Sequence, residues 1–289
     1  MTMARPAVVD DARLRRFARL SAGFLRGTAA QGTGPRAARN RPGPGLEFLD
    51  LRKYAPGDDV RHIDWRQTSR RRAPMVRRYR DEAASDWLLC VDGSASMGLG
   101  GKWRLASELT IALAYALIFG GHRVALAIFA ERIQGYCRLG RGQRQFGALL
   151  KTLLDYQPPS RGGASLPGLC ADLVSRSGNL ILISDFMNED AMSDDLQRLR
   201  GAVSTARALQ VLSADEATVP GQGTVKLIDV ESGAERRLTL SQESRAAAQE
   251  TLEDHVARVQ RVTTALDVPF SRCVVGDDWE QVLVRHLGV

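Results

Sequence analysis

Apolar and polar positions alternate between two patterns from residue 86 onward. Short, nearly uninterrupted apolar runs such as DWLLCVD (86–92) indicate buried strands, because a half-exposed strand would place a polar residue at every second position. Longer runs such as KWRLASELTIALAYALIF (102–119) exceed the usual length of a strand and indicate helices. Further strands are predicted at 123–130, 179–186, 207–213 and 270–276, and further helices at 146–156, 166–176, 194–204, 241–266 and 277–287.

The order of these elements predicts an α/β fold. Strands that alternate with helices form a mostly parallel sheet with helices on both faces. An additional β-hairpin is predicted at 225–240, turning at Ser232 and Gly233. Ligands of such folds bind beyond the carboxyl ends of the strands, so we expect the functional residues at that edge.

The first 84 residues are organised differently. Residues 10–27 repeat apolar side chains at helical spacing with arginines on the opposite face, which indicates an amphipathic helix. Residues 27–45 are rich in Gly, Pro, Ala and Arg, which predicts a linker. We therefore predict a basic N-terminal extension over residues 1–84 and an α/β domain over residues 85–289.

Positive charge is concentrated in this extension. Residues 1–80 contain 19 Lys and Arg against 7 Asp and Glu, whereas the remainder contains 21 against 26. The net charge of the whole chain is +7. A basic segment can face nucleic acid, an anionic membrane surface or an acidic protein. No apolar run reaches the roughly 20 residues of a membrane helix, and no signal peptide is visible. We expect a cytoplasmic protein without a transmembrane segment.

Carboxylate and hydroxyl side chains follow two predicted strands at their carboxyl ends. The stretch VDGSASMG places Asp92, Ser94 and Ser96 in alternation after the first strand, and Asp185 follows the strand LILIS. Hard oxygen ligands in small number are typical of Mg²⁺ or Mn²⁺. An ion with so few protein charges around it would bind a carboxylate of another molecule. The alternative is that Asp and Ser cap the following helix.

The DGSAS string resembles the DxSxS signature of the von Willebrand factor A domain, and Asp185 matches the third-loop aspartate of its metal-ion-dependent adhesion site. The resemblance implies a Rossmann-like von Willebrand factor A-type sheet and a Mg²⁺ (or Mn²⁺) site at Asp92, Ser94, Ser96 and Asp185. The family pattern has a threonine after paired glycines in the second loop. Here Ala164 takes that place and Ser165 follows, so Ser165 is the fifth candidate ligand.

A second resemblance covers GLEFLDLRKYAPGDDVRHIDWRQTSRRRAPMVRRYRDE (45–82). This segment is similar to the pattern GxEFxxLRxYxPGDDxRxIDWxxxAR of the bacterial domain-of-unknown-function family fifty-eight. Members of that family are commonly associated with MoxR-type AAA+ ATPases. The resemblance implies a non-enzymatic adaptor or accessory partner of such an ATPase, which would act on an unknown client protein.

The GDDVRHIDW part of this segment alternates acids and arginines. Such side chains can form a network of ion pairs, and we expect the network to fasten the segment to the sheet domain with the tryptophan as a buried anchor. The residues with this expected structural role are Gly57, Asp58, Asp59, Arg61, Asp64 and Trp65.

Enzymatic alternatives lack an essential residue. A haloacid-dehalogenase phosphatase would need an aspartate where Cys90 stands. Ser96, Asp185 and His286 occur in the order of a serine hydrolase triad, but the nucleophile elbow would need a glycine in place of Ser94. We therefore expect no catalytic residues.

Nucleic-acid binding is the alternative from a different class of function. Clustered arginines could neutralise several phosphates and give a salt-sensitive, sequence-independent affinity. The segment has few aromatic side chains for stacking on bases and no recognised binding motif, which makes a nucleic-acid partner the second choice. The arginines concerned lie within 66–80 and are Arg66, Arg70, Arg71, Arg72, Arg77, Arg78 and Arg80.

Overall fold

The computed structural model describes most of the chain, namely residues 10–31, 48–55, 60, 63–71, 73–79, 85–162, 164–174, 178–217, 223–228, 235–240 and 242–288. The helices are α1 Asp11–Gln31, α2 Trp65–Arg71, α3 Lys102–Phe119, α4 Gly142–Asp155, α5 Glu189–Ala202, α6 Ala214–Ala217, α7 Gln242–Ala265 and α8 Trp279–Leu287. The strands are β1 Phe48–Lys53, β2 Met75–Tyr79, β3 Asp86–Asp92, β4 Arg123–Phe129, β5 Ile133–Gly140, β6 Asn179–Ser184, β7 Thr205–Leu212, β8 Gly223–Ile228, β9 Glu235–Leu240 and β10 Phe270–Val274. In the described part, 3₁₀ helices span Ala95–Gly98 and Pro167–Leu173.

A six-stranded sheet in the order β10-β7-β6-β3-β4-β5 forms the centre of the molecule. Its pairs are parallel except β4 with β5, which are antiparallel. Cys90 in β3 faces Ala127 of β4 on one side and Leu182 of β6 on the other. The predicted α/β fold with a mostly parallel sheet is confirmed.

Apolar side chains of β3 explain why helices cover both faces of the sheet. Leu89 and Val91 pack on one side with residues of α3, α4 and α8, whereas Leu88 and Cys90 pack on the other side with residues of α5 and α7. Successive side chains of a strand point to opposite faces, so a continuous apolar run fills two layers. Burial of each such side chain contributes about 1.5–3 kcal/mol of stability.

The sequence pattern missed β5 and misjudged one helix. Strand β5 (IQGYCRLG) lies at the edge of the sheet and alternates between half-buried and exposed positions, so its apolar signal is weak. The segment predicted as a helix at 166–176 instead forms the 3₁₀ helix Pro167–Leu173. The hairpin at 225–240 is confirmed by the antiparallel pairing of β8 with β9, and its predicted turn lies outside the described residues.

Helix α1 of the basic extension packs against the helices of the sheet domain. Phe17 is buried, and its ring meets the edge of Trp279 with the centroids 5.8 Å apart. The guanidinium of Arg16 donates to both carboxylate oxygens of Glu280. The start of the extension is thus docked on α3 and α8, and the predicted boundary at residue 84 stays a prediction.

Strands β1 and β2 form a separate antiparallel pair, and α2 lies between them in the chain. None of the described helices has the length and apolar composition needed to cross a membrane.

Candidate functional site

The carboxyl ends of β3 and β6 bring the predicted residues to one edge of the sheet. Val91 and Ile183 are direct neighbours in these parallel strands, so Asp92 and the Ser184–Asp185 step leave the sheet side by side. The loop before the 3₁₀ helix Pro167–Leu173 reaches the same edge, where the Leu166 N–H donates to the Ala130 carbonyl over 3.3 Å. This edge with its loops is called the carboxyl edge below.

Asp92 is the buried centre of the carboxyl edge, with no exposed surface. Its Oδ1 accepts the Ser94 N–H over 2.8 Å. Its Oδ2 accepts the hydroxyls of Ser165 and Ser184, each over 2.6 Å. Three donors from three segments therefore fix the carboxylate in one orientation.

The pKa of the Asp92 carboxyl is raised, and no cationic side chain in the described part of the chain offsets its charge. Burial and the nearby carboxylate of Asp185 raise the pKa of Asp92 to about 6, although the hydrogen bonds from Ser165, Ser184 and Ser94 oppose that rise. No cationic side chain in the described part of the chain pairs with Asp92. A cation placed near this carboxylate would lower its pKa and stabilise the charged form.

Ser94 and Ser96 place two hydroxyls in front of Asp92. Their Oγ atoms lie 3.1 Å apart, within hydrogen-bond distance of each other. Gly93 keeps this turn tight, because a Cβ there would stand 2.7 Å from side-chain atoms of both Ile128 and Tyr156. Ser94 has no exposed surface and Ser96 is partly exposed, so a ligand would meet this hydroxyl pair at Ser96.

Asp185 has a cationic partner that the sequence did not suggest. The ammonium of Lys102, the first residue of α3, donates to Asp185 Oδ2 over 2.8 Å and to Glu216 Oε1 over 2.6 Å. The other oxygen of Asp185 accepts the Met187 N–H over 3.2 Å. The sequence signal for Lys102 was its position at the polar start of a helix predicted to be buried. Ser184 ends the predicted strand LILIS directly before Asp185, whereas nothing in the pattern pointed to Glu216.

Ser165 connects its loop to Asp92 and to the residues after β6. The Asn188 side chain donates to the Ser165 carbonyl over 3.0 Å and holds the loop against the residues after β6. The Ser165 hydroxyl donates its proton to Asp92 and so orients that carboxylate. Its oxygen lone pairs are not used by this hydrogen bond, and the role of Ser165 as a fifth metal ligand stays a prediction. Ala164 offers no side-chain oxygen at the position of the expected threonine.

These contacts allow a test of whether a divalent ion fits. No three His, Cys, Asp or Glu side chains among the described residues are grouped as metal ligands, so an ion would depend on hydroxyl oxygens. Two neighbouring hydroxyls backed by an uncompensated buried carboxylate are suited to a hard cation. The residues thus fit a weakly held ion with Ser94 and Ser96 as ligands and with Asp92 and Asp185 as the surrounding charge.

Part of the predicted ion-pair motif lies outside the described residues, namely Gly57, Asp58, Asp59 and Arg61. Asp64 caps α2 by accepting the N–H groups of Arg66 and Gln67 over 3.0 and 3.1 Å, and it pairs with Arg77 over 2.9 Å. These hydrogen bonds, the one from the Gln67 N–H first, hold the pKa of Asp64 below its ordinary value.

The prediction of Trp65 as a buried anchor is wrong, since 70% of this residue is exposed. Trp65 starts the short α2, which packs chiefly on the strand β2, and a two-stranded sheet offers little apolar surface to cover an indole. Arg66 and Arg70 are also exposed. Of the other arginines in this segment, Arg77 pairs with Asp64, and the side chains of Arg71, Arg72, Arg78 and Arg80 lie outside the described part.

His286 does not join Ser96 and Asp185. Its Nδ1 lies 2.9 Å from the hydroxyl of Ser271 at the start of β10, at the amino edge of the sheet. Burial, aided by Arg207, lowers the pKa of His286 to about 3. A serine hydrolase triad is therefore not assembled by these three residues.

Comparisons with known proteins identify similar chains of unknown function. A family described as "Protein of unknown function DUF58" matches residues 50–258. The chain is 29% identical over 255 residues to the uncharacterized protein Rv1480 of Mycobacterium tuberculosis, and the match covers 85% of this chain and 80% of the relative. The uncharacterized protein Mb1516 of Mycobacterium bovis matches to the same extent.

Two solved structures show a weaker similarity. The conserved hypothetical protein BatB from Bacteroides thetaiotaomicron is 16% identical, with a TM-score of 0.46 over 71% of this chain and 98% of that one. An aerotolerance-related membrane protein from Bacteroides fragilis is 15% identical, with a TM-score of 0.44 over 71% of this chain and 99% of that one. TM-scores of this size do not establish a common fold.

Proposed function

Because the chain belongs to the family described as protein of unknown function DUF58, a description that assigns no activity, we propose its function from the carboxyl edge of its sheet. The protein is a non-enzymatic interaction module of von Willebrand factor A type. It binds an acidic side chain of a partner protein through a divalent ion. The observation that carries the proposal is the pair of neighbouring Ser94 and Ser96 hydroxyls in the turn after Asp92, a buried carboxylate without a cationic partner in the described part.

Each residue of the carboxyl edge has a distinct part in this function. Ser94 and Ser96 hold Mg²⁺ or Mn²⁺ through their hydroxyl oxygens. Asp92 supplies negative charge behind them, and Ser165 and Ser184 keep its carboxylate oriented. A bound divalent ion supplies an open position that accepts a carboxylate oxygen from the partner.

The partner is a MoxR-type AAA+ ATPase, and the protein acts as its adaptor in the cytoplasm. The support for this partner is the similarity of residues 45–82 to the long motif of the DUF58 family, whose members are associated with such ATPases. The complex of this protein with the ATPase would then bind a client protein.

The two serines offer a mild way to test the proposal. Their hydroxyls lie within hydrogen-bond distance of each other, and the backbone N–H of Ser94 donates to Asp92 whether or not the side chain is present. Replacing both partners of a hydrogen bond by apolar groups is close to neutral for folding. The double variant Ser94→Ala/Ser96→Ala therefore removes the ligands and keeps Asp92 in place.

The experiment measures binding of the purified protein to the MoxR-type ATPase of the same genome, in Mg²⁺ buffer, by biolayer interferometry. We expect the double variant to bind at least about tenfold more weakly, as for the loss of a principal interface contact. The control is Thr264→Ala, an exposed change near the end of α7, and it should bind like the wild type. Equal binding by the double variant and the wild type would show that the carboxyl edge does not hold the partner.

A further inference from the structure

Lys102 is the least expected residue of the carboxyl edge. It has no exposed surface, yet its ammonium lies between Asp185 and Glu216. Burial acts to lower the pKa of Lys102, but the two carboxylates outweigh burial and bring the pKa above its ordinary value. The ammonium form of Lys102 is therefore favoured by its ion pairs with Asp185 and Glu216.

The position of Lys102 in α3 is unfavourable for a cation. The N-terminus of an 18-residue helix carries a partial positive charge that disfavours lysine. The turn before α3 nevertheless lies close to the end of β7. A Cβ added at Gly100 would stand 2.3 Å from the Cβ of Ser213, so only glycine allows this approach. Glu216 follows that strand end and is fixed when its Oε2 accepts the Ser213 N–H over 2.8 Å.

The charges at this edge do not cancel. Asp92, Asp185 and Glu216 carry three negative charges against the single positive charge of Lys102, which leaves −2 when all four are ionised. Without the lysine the same carboxylates would present −3. Affinity for divalent cations rises with the number of ligand charges, so the lysine weakens the attraction for an ion.

We propose that Lys102 is a built-in counter-cation that keeps the carboxyl edge from holding a divalent ion tightly by itself, so that an acidic side chain of the partner is needed to complete the site. This inference rests on the proposed function and adds how the site is regulated. Because Lys102 occupies one oxygen of Asp185, that carboxylate is not free to close around the ion.

The test compares Mn²⁺ binding to five purified proteins, namely the wild type and four variants. Binding is measured from the electron paramagnetic resonance signal of the free ion. In Lys102→Met the dissociation constant of Mn²⁺ should fall by at least about tenfold, because a neighbouring positive charge is lost. Glu216→Gln removes a negative charge from a partly exposed residue, so in this variant the dissociation constant of Mn²⁺ should rise by at least about threefold. Lys151→Met, which removes an exposed lysine of α4, should bind like the wild type.

Opposite shifts in the two site variants support the inference. Equal or weaker Mn²⁺ binding by Lys102→Met overturns it. If Lys102→Met fails to fold by circular dichroism, Glu216→Gln decides, and unchanged or tighter binding in that variant overturns the inference. Wild-type affinity in Ser94→Ala/Ser96→Ala would instead show that the ion binds elsewhere, which contradicts the proposed function itself.

Discussion

Two regions of the molecule carry a predicted motif, and they differ in how firmly the fold holds it. At the carboxyl edge, Asp92 and Asp185 are buried and fixed by hydrogen bonds and an ion pair. Between β1 and β2, Asp64 keeps its ion pair with Arg77, but Trp65 projects into solvent. The difference shows that a polar motif is held in one position only where the strands and helices beneath it form a packed apolar layer.

The physical difference lies in the number of strands that support each motif. Strand β3 has neighbours on both sides and packs against helices on both faces. In the described part of the chain, β1 pairs with β2, and β2 has one further antiparallel bridge, between Val76 and Ile63. Met75 and Val76 are the buried apolar residues of these strands there. A two-stranded sheet is marginally stable by itself, so it cannot impose burial on a neighbouring indole.

The largest effect is expected from a change in the packing of β3, the strand that carries Asp92. Leu89→Ala leaves a cavity in the middle of β3, where Leu89 has no exposed surface. We expect the free energy of unfolding to fall by about 2–5 kcal/mol, measured by urea denaturation. A loss below about 1 kcal/mol would mean that the centre of the sheet is not the tightly packed support described above.

His286, at the amino edge of the same sheet, should make the stability of the protein depend on pH. Since burial lowers its pKa from the ordinary value of 6.5 to about 3, the unfolded chain takes up a proton below pH 6.5 while the folded protein does not. Stability should therefore fall as the pH drops from 6.5 towards 3, by about 1.4 kcal/mol per pH unit for this group. Denaturation curves of wild type and His286→Gln isolate the effect, and identical pH profiles would show that the imidazole is not buried.

Asp64 gives a smaller, local effect in the second region. Asp64→Ala removes the cap of α2 and the partner of Arg77. We expect hydrogen exchange in residues 63–79 to accelerate about fivefold, because a short helix depends on its cap. Exchange in β3 and β6 should stay unchanged, and acceleration throughout the sheet domain would contradict the separation of the two regions.

The smallest effect is expected for Trp65. Because the residue is largely exposed, Trp65→Ala should change the free energy of unfolding by no more than about 0.5 kcal/mol. A loss comparable to that of Leu89→Ala in the same urea assay would show that the indole is buried in solution, as the sequence suggested.

Sequence reasoning succeeded where a side chain follows directly from a strand. Asp92 and Asp185 lie at strand ends, and parallel strands bring such residues together whatever the details of packing. Ser94 followed from the same logic, since its position in a tight turn is local. The fold itself was predictable because continuous apolar runs alternate with longer helical ones.

The remaining features depend on contacts between distant segments. Lys102 and Glu216 are 114 residues apart in the chain, and neither has a local pattern that pairs it with the other. Ser165 was placed at the right edge, but its role as a donor to Asp92 depends on the approach of a loop 73 residues away. Trp65 was misjudged because an aromatic residue in a motif is usually buried, and here the supporting surface is absent from the described strands β1 and β2.

The central claim is that the hydroxyl pair at the carboxyl edge holds a divalent ion. Its most direct test is isothermal titration of the wild type and of Ser94→Ala/Ser96→Ala with Mg²⁺, with Thr264→Ala as the matched control. We expect weak but saturable binding of one ion to the wild type and the control, and no measurable binding to the double variant. An unchanged titration in the double variant, or no binding to the wild type, would contradict the claim.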